Sequence, residues 1–211
     1  MKKIRKLLNR IKFQRVAVLA FALGVAAVVA SITIWIAGRP DKNVRAIEQT
    51  YYPYISTLPE RSRIVVDFYT AGRGAEINAA IGAGKKLYPE IIATLDDAIL
   101  NAPALDSARV FYRGDSKDHW RIGIDEEVVV PVFVSASLNK RVARRYARAK
   151  EGGFVLRINA PIGAQGLYIG ATSISKHGDE KEFLFPRDTS FKCIEVVQDH
   201  CGAVEVVVGK N

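Results

Sequence analysis

Two carboxylates, Glu180 and Glu182, stand two residues apart at the mouth of an apolar run, in Gly178-Asp179-Glu180-Lys181-Glu182-Phe183-Leu184-Phe185-Pro186-Arg187. Phe183 to Phe185 reads as a buried strand, entered from the glycine-rich segment Gly163 to Gly178. Strand alternation places both acids on one face, with Lys181 on the other. The strand end then aims two anions at one small volume. Such a pair suits chemistry through an oxocarbenium-like sugar cation, because one anion stabilises the cation while the other handles a proton. A Glu-x-Glu pair also belongs on exposed strand edges, so the rest of the chain has to decide between the two.

Two further strand ends carry groups of interest. Arg109-Val110-Phe111-Tyr112-Arg113-Gly114 reads as a strand that closes on an arginine and a glycine. A guanidinium there can meet a pyrophosphate with two parallel hydrogen bonds, and glycine lets a ligand approach the backbone. Glu127 to Pro131 and Val132 to Ser137 are β-rich, with Ser135 and Ser137 on one face and Ala136 opposite. Ser137 is placed to cap a helix from Leu138 to about Lys150, stopped by Gly152-Gly153. Val142, Ala143, Tyr146 and Ala147 would face inward on that helix, and Lys140, Arg141, Arg144, Arg145 and Arg148 crowd the rest. That basic face reads as solvated surface, with some of it free to lean toward an anionic ligand or a membrane.

The elements around these strand ends divide the chain. Before Pro103 the texture is helical. Asp41 can cap a short helix through about Tyr52, Arg61 to Tyr69 and Ala75 to Ala83 follow around Gly72-Arg73-Gly74, and Ile91, Ile92, Leu95, Ile99 and Leu100 recur at helical spacing. Strands predominate afterwards. Phe154 to Ile158 is one, and Ser190 to Val197 with Ala203 to Val208 suggest a hairpin turning at Asp199-His200-Cys201-Gly202. With that turn, Cys201 sits in the loop and Cys193 several residues down the strand. At about 3.3 Å per residue they exceed the roughly 7 Å Cα limit for a bridge, so the two cysteines are expected to be unbonded. His119, His177 and His200 stand singly and read as loop or surface histidines, and no ligand spacing points to a metal.

The 211 residues suit one domain of ordinary size plus an appendage. The formal charge of +9 is concentrated in Lys2, Lys3, Arg5, Lys6, Arg10, Lys12 and Arg15, which leaves 24 basic and 22 acidic residues for everything after. The body is therefore nearly neutral, and a nucleic-acid groove is not expected. Val16 to Ala37 carries no charge and is long enough to span a bilayer as a helix of about 20 residues, with Trp35 near the interface. It is too long for a cleavable signal core, and Trp35-Ile36-Ala37-Gly38 is a poor exit site. The expected organisation is a basic cytoplasmic tail at 1–15, a single transmembrane anchor at 16–38 and a folded domain at 39–211. The positive cluster before the span keeps the amino terminus in the cytoplasm and sends the body to the outer side.

Taken in order, Tyr112-Arg113-Gly114, Phe133-Val134-Ser135-Ala136-Ser137 and Glu180-Lys181-Glu182 give the chain a resemblance to the mono-ADP-ribosyltransferases of the arginine–serine–glutamate class, the toxin-like and ecto-enzyme branch. The likeness extends upstream to Phe68-Tyr69-Thr70 and Ile77-Asn78-Ala79-Ala80 and covers roughly Val44 to Val208. It implies an α+β fold with helices packed on a two-sheet β core around an NAD cleft. By carry-over, Arg113 holds NAD through its phosphates or ribose, Gly114 binds the nicotinamide amide through its main chain, and Ser135 holds the catalytic carboxylate. Glu182 matches the catalytic glutamate that binds the ribose and stabilises the cation. Glu180 matches the acid that goes with an arginine acceptor. Gly170 to Asp179, with Ser173 and Ser175, resembles the substrate-recognising turn-turn loop. The usual Ser-Thr-Ser is Ser-Ala-Ser here, and Ala136 should point away from the site. The implied activity is transfer of ADP-ribose from NAD to a protein arginine, with NAD as substrate; the membrane is expected as a partner from the Val16 to Ala37 span, which lies outside the resemblance, and neither metal nor nucleic acid is expected. The rivals are an NAD glycohydrolase and a catalytically silent membrane-anchored module that binds NAD or a partner.

Overall fold

The computed structural model describes residues 42–170, 180–198 and 200–208. The expected tail and anchor, and residues 171–179 of the expected recognition loop with His177, lie outside the described residues. Among the described residues no helix is long and apolar enough to cross a membrane.

Among the described residues four helices come first. Helix α1, Lys42–Thr57, buries Val44, Ile47, Tyr51 and Ile55, a stripe at helical spacing. It runs past the expected end at Tyr52 because Pro53 lies on the exposed side, where the lost N–H bond and the ring are accommodated without breaking the buried stripe. Helix α2, Glu60–Phe68, passes into a wide π turn, Tyr69–Arg73, in which Gly72 takes a φ of 102°. That conformation suits glycine, and it reorients the chain into helix α3, Gly74–Gly82. Helix α4, Pro89–Leu100, starts with proline in its first turn and buries Leu95, Ala98 and Ile99.

Eight strands follow: β1 Arg109–Ser116, β2 Glu127–Val130, β3 Val134–Ser137, β4 Gly153–Ala160, β5 Leu167–Tyr168, β6 Glu182–Phe185, β7 Thr189–Val197 and β8 His200–Val206. A 3₁₀ turn, Lys117–Trp120, leaves β1, and helix α5, Lys140–Arg148, lies between β3 and β4. The strands form one mixed sheet in the order β2-β7-β8-β4-β1-β3-β6-β5, where β4 and β8 run parallel and the other neighbours antiparallel. This corrects the expected two-sheet core. The two groups are present, but Tyr112↔Ser137, a single registered pair, joins β1 to β3 and makes them one sheet. The core packs Phe111 against Phe183 with ring centroids 4.6 Å apart, and Phe185, Phe191, Tyr51 and Tyr168 continue the cluster.

The carboxyl-terminal hairpin departs from expectation. The ladder already pairs Val197 with His200, and Gln198 after Val197 has a φ of 58°, so Cys201 belongs to β8, registered opposite Val196. Register irregularities on both sides of Glu195 bring Cys193 and Cys201 to a Cα separation of 5.9 Å, and the two are disulfide-bonded. The expected separation failed because it assumed a later turn and an unbulged ladder. His200 is also not a surface residue: it is buried, with its ring 4.1 Å from that of Phe154.

Candidate active site

A cleft of about 420 Å³ opens where β1 and β3 part, lined by the π turn, α3, α5 and the residues leading into β6. Arg113, Gly114, Ser135, Glu180 and Glu182, the five site residues expected from the sequence, all line it.

Glu182 opens β6 directly opposite Ser137, and Ser135 is its diagonal neighbour across the ladder. The Ser135 hydroxyl donates to Glu182 Oε1. Burial pushes the Glu182 carboxyl up to about 7; the Ser135 hydrogen bond opposes this, the nearby Glu180 charge adds to it, and Arg113 opposes it. Ala136 pairs with Phe183 and is buried, yet it also contributes to the lining of the cleft between Ser135 and Ser137.

Glu180 reaches the cleft by another route than strand alternation. The strand begins only at Glu182, and Lys181 takes a φ of 46°, which redirects the chain before it. The Glu180 carboxylate accepts from Tyr146 Oη at 3.0 and 3.2 Å and forms an ion pair with Arg145. Tyr146 is accordingly exposed along the cleft, not turned inward. Ser137 also differs from its expected role as cap. Asn139 caps α5, accepting from Arg141 N at 3.0 Å, while Ser137 Oγ donates to the Glu180 carbonyl at 2.5 Å and accepts from Asn139 N at 2.8 Å. Ser137 thereby ties the Glu180 backbone to the start of α5.

Arg113 is held from two sides. Its Nε donates to Asp115 Oδ2 at 2.6 Å and its Nη1 to the Ser135 carbonyl at 2.8 Å. Asp115 is buried and also accepts from His119 Nδ1 and Lys150 Nζ, each at 3.0 Å, and from Trp120 Nε1 at 3.2 Å. Burial alone would raise the Asp115 pKa, but the Arg113 charge and these hydrogen bonds outweigh it and hold the carboxyl well below the usual range. Asp115 was missed in the sequence. Its signal was alternation, since Arg113 and Asp115 are two apart on one strand.

Gly114 has a packing task in addition to the one inferred for a glycine beside a ligand. A Cβ there would come within 2.2 Å of the Ala143 carbonyl and 2.4 Å of Ala147 N, so its missing side chain admits the α5 backbone. Gly153 on β4 meets α5 in the same way, 1.9 Å from the Ala147 carbonyl. The two glycines seat the helix that carries Arg145 and Tyr146.

The far wall was not legible as a site from residue chemistry. Asn78 donates to Tyr69 Oη at 3.1 Å and to the Phe133 carbonyl at 2.9 Å, and accepts from Phe133 N at 3.2 Å. It fixes the π turn against the entry to β3. Burial first, then the Glu182 charge, raises the Tyr69 phenol well above its ordinary value, so Tyr69 stays protonated beside the carboxylate. Among the described residues there is no group of three or more His, Cys, Asp or Glu placed to hold a metal.

Comparison with known proteins agrees with this arrangement. A toxin from Paenibacillus larvae, Plx2a, superposes with a TM-score of 0.60 at 19% identity over 77% of this chain and 92% of its own. Vis toxin from Vibrio splendidus gives 0.59 at 18% over 80% and 87%. The ADP-ribosylating toxin BECa of C. perfringens, solved with NADH, gives 0.61 at 14% over 77% and 46%. In sequence, an Enterococcus faecalis protein named NAD(+)--arginine ADP-ribosyltransferase EFV is 32% identical over 151 residues, which is 67% of this chain and 30% of that relative's length. The ADP-ribosyltransferase exoenzyme family model matches residues 47–208. The chain therefore belongs to the ADP-ribosyltransferase exoenzyme family, whose substrate is NAD.

Proposed function

We propose that the chain is an NAD-dependent protein-arginine mono-ADP-ribosyltransferase. The observation that carries the arginine acceptor is that Glu180, at the cleft, already binds a guanidinium, that of Arg145. The relative at 32% identity is named for the same acceptor.

Each residue has a defined part. Arg113 has five N–H donors, of which Nε and one on Nη1 are engaged, leaving three for the phosphates or ribose of NAD. The backbone at Gly114 stands beside it for the nicotinamide amide. Glu182, oriented by Ser135, stabilises positive charge on the ribose as the bond to nicotinamide breaks. Glu180 orients the incoming guanidinium and takes its proton. Labelled NAD tests this directly: nicotinamide release should rise with agmatine present, and labelled agmatine should appear. Release with no labelled acceptor would assign an NAD glycohydrolase, and NAD binding without release would assign a silent module.

The same proposal places the domain, 39–211, on the outer side of a membrane behind the anchor at 16–38, with residues 1–15 cytoplasmic. The Cys193–Cys201 bridge supports that side, since disulfides persist in oxidising surroundings. Protease added to intact cells should remove the domain, whereas full protection would reverse the topology.

A further inference from the structure

Arg145 lies at the rim of the cleft: it belongs to the basic surface pocket with Arg141, Arg144 and Arg148, yet it is paired with the cleft carboxylate Glu180. Its guanidinium is paired with Glu180, the carboxylate assigned to the acceptor, and lies 5.3 Å from the centroid of the Tyr146 ring. The Tyr146 hydroxyl bonds both oxygens of the same carboxylate, so that Glu180 is already turned toward a guanidinium. The Arg145 side chain is 61% exposed and its Glu180 partner 13%, so the guanidinium half of the pair is open to solvent. Arg113, by contrast, is tied to Asp115 and to Ser135, which excludes it as an acceptor. Arg141, Arg144 and Arg148 share α5 with Arg145 and serve as internal comparators.

We propose that Arg145 is an internal acceptor and is itself ADP-ribosylated by the same cleft. The inference rests on the arginine-acceptor reading above. In the reaction the bond between ribose C1′ and the nicotinamide nitrogen breaks, and nicotinamide leaves with the bonding pair. A guanidine nitrogen of Arg145 forms the new C1′–N bond, and its proton passes to Glu180 and then to water. NAD and Arg145 thus give ADP-ribosyl-Arg145, nicotinamide and a proton, with no further reactant. The attached ADP-ribose would lie over Glu180, so the modification would also close the site to external arginines.

The full chain, in detergent, is incubated with NAD alone and with NAD plus agmatine, and the modified positions are mapped by peptide mass spectrometry. The expected result is ADP-ribose on Arg145 at least tenfold above Arg141, Arg144 or Arg148, formed at a first-order rate unchanged by tenfold dilution of the protein. Arg145→Lys should abolish that modification and still transfer to agmatine. Transfer to agmatine with Arg145 unmodified would overturn the proposal, as would equal modification along α5 or a rate that falls with dilution. Nicotinamide release with neither agmatine nor any arginine modified would overturn the arginine-acceptor reading as well.

Discussion

Arg113 and Asp115, two residues apart on β1, form an ion pair of 2.6 Å in which the acid is buried and the arginine faces the cleft. The acid orients the base, and a guanidinium so fixed meets a phosphate without first losing side-chain freedom. Asp115→Asn would leave Arg113, Lys150 and His119 around a neutral group. We expect a loss of about 3–5 kcal/mol in unfolding free energy at pH 7, together with weaker NAD binding. Because the folded-state pKa is depressed, the wild-type advantage is present above pH 4 and lost as pH falls below it. Urea denaturation at several pH values and NAD titration check both parts; an unchanged midpoint at pH 7 would remove Asp115 from the positioning of Arg113.

The two acids of the cleft should separate functionally. Cation stabilisation at Glu182 is needed whichever nucleophile arrives, while Glu180 matters only when the nucleophile is a guanidinium. Glu182→Gln should abolish nicotinamide release and transfer together, by about a hundred- to a thousandfold, equivalent to about 2.7–4 kcal/mol. Glu180→Gln should lose transfer to agmatine and keep NAD hydrolysis. Equal losses in both variants would show that the carboxylates do not divide the work.

Glu182 also sets a pH dependence. With its carboxyl pushed up to about 7, the anion required for catalysis is lost as pH falls through that value, so hydrolysis should rise with pH about a midpoint near 7. Stability moves the other way. A folded-state pKa above the unfolded value means the protonated form stabilises the fold below about pH 4.5, and that contribution disappears as pH rises through 7. Glu182→Gln, neutral throughout, should therefore be more stable than wild type at pH 8, by at most about 3 kcal/mol, and gain nothing at pH 4. Thermal melts of the two proteins at those pH values decide it.

The bridge between Cys193 and Cys201 closes a loop of sequence separation 8, for which chain entropy gives about 2.5 kcal/mol. Reduction, or Cys201→Ala, should lower stability by about that amount. The cleft residues lie on other elements, so nicotinamide release at a temperature well below the melt should persist. A melt insensitive to reductant would show the bridge to be energetically idle.

Much of the site could be read locally because alternation and strand ends are local properties. Arg113 on a strand, Ser135 and Ser137 on one face with Ala136 opposite, and Glu182 at the head of Phe183-Leu184-Phe185 all follow from period-two patterning and apolar runs, although β1 runs on to Ser116 and does not close on Arg113-Gly114 as expected. The helices were visible for the same reason, and the ordered arginine, serine and glutamate motifs pointed to the family that comparison supports.

What tertiary structure decided was everything set by packing between distant segments. The Ser135–Glu182 bond spans 47 residues and the Asn78–Phe133 bonds span 55. No local preference encodes which strands pair, so the single sheet and its seam at Tyr112↔Ser137 were not deducible. Glu180 joins Glu182 through a left-handed Lys181 and a hold from α5, where alternation alone gave the right cleft for the wrong reason. Gly114 and Gly202 show the same limit: each resembled a ligand-facing or turn glycine, and each proved to be a place where a neighbouring element leaves no room for a Cβ, the α5 backbone for one and Val197 for the other. A sequence records that a residue is small; only the folded chain shows what presses against it.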